Sequence, residues 1–387
     1  PVLENAPNGV VYASATCCVG GSPPVWVSRD AGASWGTLDT PGVREAVGIE
    51  GDFAVDAAGN VYFTDILVGA MWITSWDKDG AWRHTTPVPL PPIVDRPWVR
   101  AGAEDVVYFL YNTGSSTGFH VSTDGGRTFP LLATHTFPAN LGTFAQGPQL
   151  DHLWVTAGDI LYESTDGGAT WSEGEDVPMP ENATDEEAHY GFLVPAVDAA
   201  GNVGVAYDFG SKDTGYAIFL ATRSVEGAWQ VSQASPMDAA CRGTHVLPWV
   251  EAGPAGGFVV AWYGVPSETS GPDDVAKDSA WYAYVAATHD AGASWQAALA
   301  DEESVLAGPM ARRLLDFLQV DLDESGAAHV VYSHNREGGN DERTSYARTT
   351  IGLGLPQLPP VAGNRPGLLP GALEPLVLKG ATTLARA

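Results

Sequence analysis

Basic residues are scarce in this chain of 387 residues. Lysine and arginine together number 19 against 47 acidic residues, only four of the basic residues are lysines, and the net charge is −28 at pH 7. Nucleic acids and anionic membrane surfaces are bound through basic patches, so neither is an expected partner. We interpret the acidity as a source of solubility in a secreted or salt-tolerant setting.

Long apolar runs are missing, and cysteine is rare. No run reaches the roughly 18 apolar residues of a transmembrane helix, so none is predicted. The three cysteines allow at most one disulfide, and the candidate pairing joins Cys241 to Cys17 or Cys18. The sequence begins at Pro1 with neither Met nor a visible signal peptide, and we expect a processed protein that is secreted or held at the cell surface.

Turn formers and aromatic residues are abundant, with 45 Gly, 28 Pro and 13 Trp. The sequence FAVDAAGNVYFTD at residues 53–65 resembles residues 195–209 and 318–335. Each of these segments is an apolar run, a turn rich in Gly, Asn or Asp, and a second, alternating apolar run, which is typical of a β-hairpin. A third strand-like run follows each hairpin.

Seven such units follow one another, so the predicted fold is all-β: a single β-propeller of seven four-stranded blades over residues 1–352. Six blades is the alternative count, because the hairpin predicted for the fourth blade is short. Residues 353–387 are rich in Pro, Gly and Leu. We expect this tail to be extended and to dock on the propeller or on a neighbouring subunit, which would make a homo-oligomer.

An eight-residue motif, which we name the octapeptide, follows the third strand-like run of most units. It reads SRDAGASW at residues 28–35, STDGGRTF at 122–129, STDGGATW at 164–171 and THDAGASW at 288–295, with degenerate copies in blades two and five. Asp, Gly and Ser or Thr at these positions suit a tight turn, and the aromatic residue supplies apolar cover between blades. We therefore predict a structural role for Asp30, Trp35, Asp77, Trp82, Asp124, Phe129, Asp166, Trp171, Trp229, Asp290 and Trp295. Trp35, Trp171 and Trp295 are expected to be buried.

The octapeptide pattern S-x-D-x-G-x-[ST]-W resembles the Asp-box, or BNR, repeat of sialidases, sortilin-type receptors, photosystem-assembly propellers and some glucanases. That resemblance implies a propeller without settling the function. A sialidase would need three arginines, a Tyr–Glu pair and an acidic residue at the channel mouth. The candidates for those positions are Arg96, Arg242, Arg313, Asp52, Asp95 and Asp316. The F/Y-R-I-P motif of that family is absent, and DRPW at residues 95–98 also fits an ordinary structural role.

Long polar loops are predicted at the end of the blades opposite the Asp-boxes, and such loops commonly carry binding residues. The candidate binding residues are Asp208, Asp213, Asp273, Asp274, Asp278, Arg336 and Glu337. No cofactor is expected; calcium at the acidic residues 273, 274 and 278 is a minor alternative, because the EF-hand spacing is missing.

Two functions remain open at this point. The first is a secreted, non-catalytic propeller that binds a glycan or protein or builds a surface assembly. The second is a sialidase-like exo-glycosidase acting at the channel mouth.

Overall fold

The computed structural model describes residues 1–6, 8–15, 25–39, 51–67, 70–91, 94–225, 227–236, 243–266, 269–310, 318–336 and 343–353. These residues form antiparallel sheets joined by turns, and they contain no helix. None of the described residues belongs to a helix that could cross a membrane. The tail 354–387, all three cysteines, Arg242, Arg313, Asp316 and Glu337 lie outside the described residues.

Seven sheets follow one another along the chain as the blades of a β-propeller, which confirms the predicted fold and the count of seven. Contacts divide the chain into two compact units. The first unit, Pro1–Val177, holds blades one to four. Its strands are β1 Val2–Asn5, β2 Val11–Ser14, β3 Val25–Ser28, β4 Gly36–Thr37, β5 Phe53–Val55, β6 Val61–Leu67, β7 Ala70–Trp76, β8 Trp82–Val88, β9 Asp95–Ala101, β10 Val107–Asn112, β11 Thr117–Ser122, β12 His135–Phe137, β13 Thr143–Gln146, β14 Leu153–Ala157, β15 Ile160–Ser164 and β16 Glu175–Asp176.

The second unit begins at Pro178 and holds blades five to seven. Its strands are β17 Val194–Val197, β18 Val203–Ser211, β19 Gly215–Arg223, β20 Gln230–Gln233, β21 Thr244–Ala252, β22 Phe258–Val265, β23 Ala280–Thr288, β24 Gln296–Leu299, β25 Leu306–Ala307, β26 Leu318–Leu322, β27 Ala327–His334 and β28 Arg343–Gly352. The short strand β25 adds to β23 of blade six. Blade seven has three strands among the described residues.

The apolar faces of the strands are buried between successive blades. Tyr62 and Ile73 of blade two pack with Val99 and Phe109 of blade three in one buried cluster. Strand residues alternate between the two faces of a sheet, so a blade with neighbours on both sides needs apolar residues on both faces. This requirement explains why β10 and β22 are buried along their whole length.

An aspartate in the first hairpin turn joins one blade to the next. Oδ1 of Asp56 accepts the N–H groups of Ala58 and Asn60 within its own turn. Its Oδ2 accepts the N–H of Asp105, in the corresponding turn of blade three. In the second unit, Asp198 makes the same bonds within blade five and its Oδ2 accepts the Gly256 N–H of blade six at 2.7 Å. The hairpin pattern was predicted, but this link between blades was not.

The four good copies of the octapeptide form one repeated turn between the third and fourth strands of their blades, as predicted. In the copy of blade four, Oδ1 of Asp166 accepts the Thr170 N–H at 2.8 Å, and the Ser164 hydroxyl accepts the Gly168 N–H at 2.8 Å. Gly168 has φ of +83°, a conformation that glycine adopts without steric cost. The N–H of Gly167 bonds to the carbonyl of Asp151, so the octapeptide and the first hairpin turn lie at the same end of the blade. We name this the box end, and the opposite end of each blade the loop end.

The expectation that Trp35, Trp171 and Trp295 are buried is wrong, because all three are half-buried. The indole N–H groups of Trp35 and Trp171 bond to the carbonyls of Gly32 and Gly168 in their own turns. Trp171 also packs edge-on against Phe119 and Phe137 of blade three, with ring centroids 5.2 and 5.0 Å apart. The indole N–H of Trp295 bonds to the Ser232 hydroxyl of blade five. These two rings therefore cover the joint between neighbouring blades, as predicted, while remaining half-buried.

The degenerate copies differ in structure. Oδ1 of Asp77 accepts the N–H groups of Asp79 and Ala81, which is a tight hairpin turn, and Trp82 is 39% exposed. Trp229 is half-buried and lies beside the Arg223 guanidinium, whose carbon is 5.4 Å from the ring centroid.

Candidate functional site

The loop end of blade five is built by a long connection that leads into it. The connection, residues 178–193, is fully described and has no regular strand of its own. Glu187 accepts the N–H of Thr184 and the hydroxyl of Thr214. Ala188 then pairs with Gly210 of β18 through two backbone hydrogen bonds. These bonds fasten the connection to the β18–β19 hairpin.

Two tyrosines meet on the surface that this connection forms. Tyr190, in the connection, is 36% exposed, and Tyr216, the second residue of β19, is half-buried. Their ring centroids are 6.0 Å apart and their planes make an angle of 66°. Edge-to-face geometry of this kind is favourable between aromatic rings. We name Tyr190 and Tyr216 the tyrosine pair.

Asp208 lies directly beneath the tyrosine pair. It is fully buried within strand β18, so it does not occupy an exposed loop as expected. Its Oδ1 accepts the N–H groups of Tyr190 at 2.8 Å and Gly191 at 3.1 Å, and its Oδ2 accepts the N–H of Leu247 at 2.8 Å. Burial raises the pKa of Asp208, and the three N–H donors and His189 oppose that rise. The sequence offers no local signal for this role, because the donors are 17 to 39 residues away.

Exposed acidic side chains lie in the β18–β19 turn and in the blade-six loop, which approach each other at Lys212 and Gly271. Asp213, in the turn between β18 and β19, is exposed, and so are Asp273, Asp274 and Asp278 in the loop of blade six. That loop is fastened to blade six by the Thr244 hydroxyl, which donates to the Ser270 carbonyl at 2.6 Å. Among the residues that the structure describes, no group of three His, Cys, Asp or Glu side chains is placed to hold a metal ion.

Arg336 is placed in an ion-pair network rather than in open solvent. Its guanidinium contacts the carboxylates of Asp301 and Glu303, and the Tyr332 hydroxyl donates to Asp301 at 2.6 Å. Burial opposes the charged form of Arg336, but the Asp301 carboxylate prevails and raises its pKa. Burial and the same carboxylate raise the pKa of Tyr332.

In the first unit, the candidate residues Asp52, Asp95 and Arg96 have partners on or beside β9. Asp52 is buried and its Oδ2 accepts from the Val99 N–H and from the Arg100 guanidinium at 2.9 Å. Arg96 lies 3.9 Å from the carboxylate of Asp95, measured from Nε to Oδ2. Its φ of +57° is unusual for a residue before proline, and a register shift in the β9–β10 pairing accompanies it. Asp52 is thus a structural partner of Arg100, a residue that sequence analysis did not single out.

Comparisons with known proteins agree with this architecture. Residues 162–173, which contain the whole octapeptide of blade four, match the family model of the BNR/Asp-box repeat. No curated protein matches the chain by sequence.

Several solved structures share the fold. One is a polysaccharide lyase of family PL25, an ulvan lyase bound to -[GlcA(1-4)Rha3S]-, at 12% identity and a TM-score of 0.51, covering 90% of this chain and 94% of that one. Another is the GH74 enzyme of Niastella koreensis, at 16% identity and a TM-score of 0.53. The match covers 89% of this chain but only about half (51%) of the GH74 chain. A protein of Lactobacillus plantarum has 12% identity and a TM-score of 0.50, with 88% and 91% covered. At these identities the likeness concerns the fold alone.

Proposed function

We propose that this protein, an Asp-box β-propeller, is a secreted, non-catalytic glycan-binding protein that holds a neutral polysaccharide on the tyrosine pair of blade five. The observation that carries the proposal is the exposed Tyr190 ring set edge-to-face on Tyr216, on a backbone anchored by a buried carboxylate. The C–H groups of a sugar ring pack against an aromatic face, and the phenol hydroxyl can bond to the sugar hydroxyls.

The charge of the protein narrows the ligand class. The net charge is −28, and Asp213, Asp273 and Asp274 are exposed in the turn of blade five and the neighbouring loop of blade six. A polymer of uronic acids or sulfated sugars would be repelled by this field. A neutral polysaccharide avoids that repulsion, and its hydroxyl groups can donate hydrogen bonds to exposed carboxylates.

The fold neighbours add limited support. Two of them are named as carbohydrate-active enzymes, the PL25 lyase and the GH74 enzyme. Binding without turnover is favoured because Asp52, Arg336 and Asp301 each have a structural partner in this chain. A secreted location is the proposal that best fits the acidic composition.

Affinity measurements on purified variants test the proposal. Wild-type protein is titrated with neutral polysaccharides and with ulvan as the anionic comparison. Tyr190→Ala is expected to weaken binding of the neutral polymer by about tenfold or more, because it removes the central aromatic contact. Trp82→Ala is the matched control: Trp82 is equally exposed but belongs to the box end of blade two, so its loss should leave the affinity unchanged. Equal losses in both variants, or no binding by the wild type, would refute the proposal.

The sialidase-like alternative is tested on the same protein. Non-catalytic function predicts no release of sialic acid from a fluorogenic sialoside and no new reducing ends from a bound polysaccharide. Turnover that disappears in Arg242→Ala or Arg313→Ala would instead establish the glycosidase.

A further inference from the structure

We infer that Asp208 is a positioning residue: its buried carboxylate holds the backbone at Tyr190 so that the tyrosine ring faces outward as a ligand platform. This inference rests on the proposed function, because it concerns how the same surface is held in place. The carboxylate itself does not touch the ligand, since it is fully buried.

The carboxylate joins three segments that are distant in sequence. It lies on β18, accepts two N–H groups from the connection at Tyr190 and Gly191, and accepts a third from Leu247 on β21. Hydrogen bonds to a charged acceptor are roughly twice as strong as neutral ones. One side chain therefore orients the connection against both blade five and blade six.

The geometry around Asp208 leaves little freedom. Leu247 has φ of +59°, a strained conformation for a leucine before a proline, and the bond from its N–H to Asp208 helps to hold it there. A Cβ added to Gly191 would lie 3.0 Å from Leu247 Cδ2 and 3.2 Å from Asp208 Oδ2. The connection thus passes so close to Leu247 and Asp208 that only glycine fits without a shift.

Hydrogen exchange read by mass spectrometry tests the inference without any ligand. In Asp208→Asn, the amides of Tyr190 and Gly191 are expected to exchange about tenfold faster or more, since they lose a charged acceptor. The matched control is Asp198→Asn, which removes an equally buried carboxylate of the same blade at its box end. That control should lower stability yet leave exchange at Tyr190 and Gly191 unchanged.

A second variant covers the case in which Asp208→Asn fails to fold. Gly191→Ala keeps the carboxylate but crowds it by a single methyl group, and it should also speed exchange at Tyr190. Unchanged exchange at Tyr190 in a folded Asp208→Asn or Gly191→Ala protein would overturn the inference, as would equal acceleration in Asp198→Asn.

Binding provides the final readout. With a neutral polysaccharide, Asp208→Asn should bind about tenfold more weakly than the wild type, whereas the Asp198→Asn control should keep the wild-type affinity. An equal loss of affinity in both variants would refute the role of Asp208. If the wild type binds no glycan but exchange responds as expected, the proposed function fails and the structural role of Asp208 stands.

Discussion

Acid should destabilise this protein through a histidine buried in blade six. His245 is fully buried in β21, and its Nδ1 accepts the indole N–H of Trp262 at 2.9 Å. The Tyr284 ring packs edge-on against it, with centroids 5.4 Å apart. Burial lowers the pKa of His245 to about 4, from 6.5 for the free side chain. Protonation at Nδ1 would also abolish the bond from Trp262.

The sign and size of the effect follow from those two values. Because the folded pKa lies below the unfolded value, the unfolded chain takes up the proton first as the pH falls. The stabilisation present at pH 7 is therefore lost progressively from about pH 6.5 down to about pH 4. The shift corresponds to roughly 3 kcal/mol in total, of which about 2 kcal/mol is lost between pH 7 and pH 5.

Denaturant unfolding at a series of pH values from 7 down to about 4.5 measures this loss of stability. His245→Asn keeps an acceptor near the Nδ1 position but has no titrating ring, so its stability should fall about 2 kcal/mol less between pH 7 and pH 5. His289→Asn, on a half-buried histidine at the box end, is the control and should follow the wild type. Parallel pH profiles for wild type and His245→Asn would refute the reasoning.

Three further outcomes are expected. Ala31 and Ala291 have φ of +54° and +55° in turns where the other good copies of the octapeptide carry glycine. Replacing each alanine with glycine should raise the free energy of unfolding by up to about 1 kcal/mol. A lower Tm in either variant would contradict this. Asp124→Ala should lower the Tm, because the N–H of Thr128 loses its acceptor, while glycan affinity in the folded fraction should not change; lost affinity at unchanged Tm would reject the structural role. If the tail docks on a neighbouring subunit, deleting residues 354–387 should reduce the number of subunits measured by light scattering. An unchanged number of subunits with a lower Tm would favour docking on its own propeller.

Local interactions made much of the fold predictable from the sequence. The Ser and Asp side chains of the octapeptide form their turn bonds within five residues, as between Ser164 and Gly168, so the turn appears wherever these residues appear. The hairpins behave in the same way: Asp56 bonds to N–H groups two and four residues ahead. Alternating apolar residues on both sides of such turns were enough to predict seven blades.

Interactions between distant residues decided the rest. Asp56 also accepts the N–H of Asp105, 49 residues away. Nothing in the local sequence DAAGN indicates that Asp56 makes this long-range bond in addition to the bonds within its own turn. Trp171 was expected to be buried between strands, yet it is half-buried, packed against Phe119 and Phe137 of blade three. The exposure of a side chain depends on what the neighbouring blade places beside it, which no short segment encodes.

The candidate site depends almost entirely on interactions between distant residues. Tyr190 sits in a polar connection and Tyr216 in an ordinary strand, and neither has a signal in its local sequence. Asp208 reads as one more acidic residue near the end of a strand. Only the folded chain brings the three together, because the β18–β19 hairpin returns Tyr216 beside Asp208 while the connection crosses above both. The sequence by itself determined the repeated blade and its turns, whereas the tertiary structure determined which polar and aromatic side chains meet at the loop end, since those contacts form only when distant segments pack.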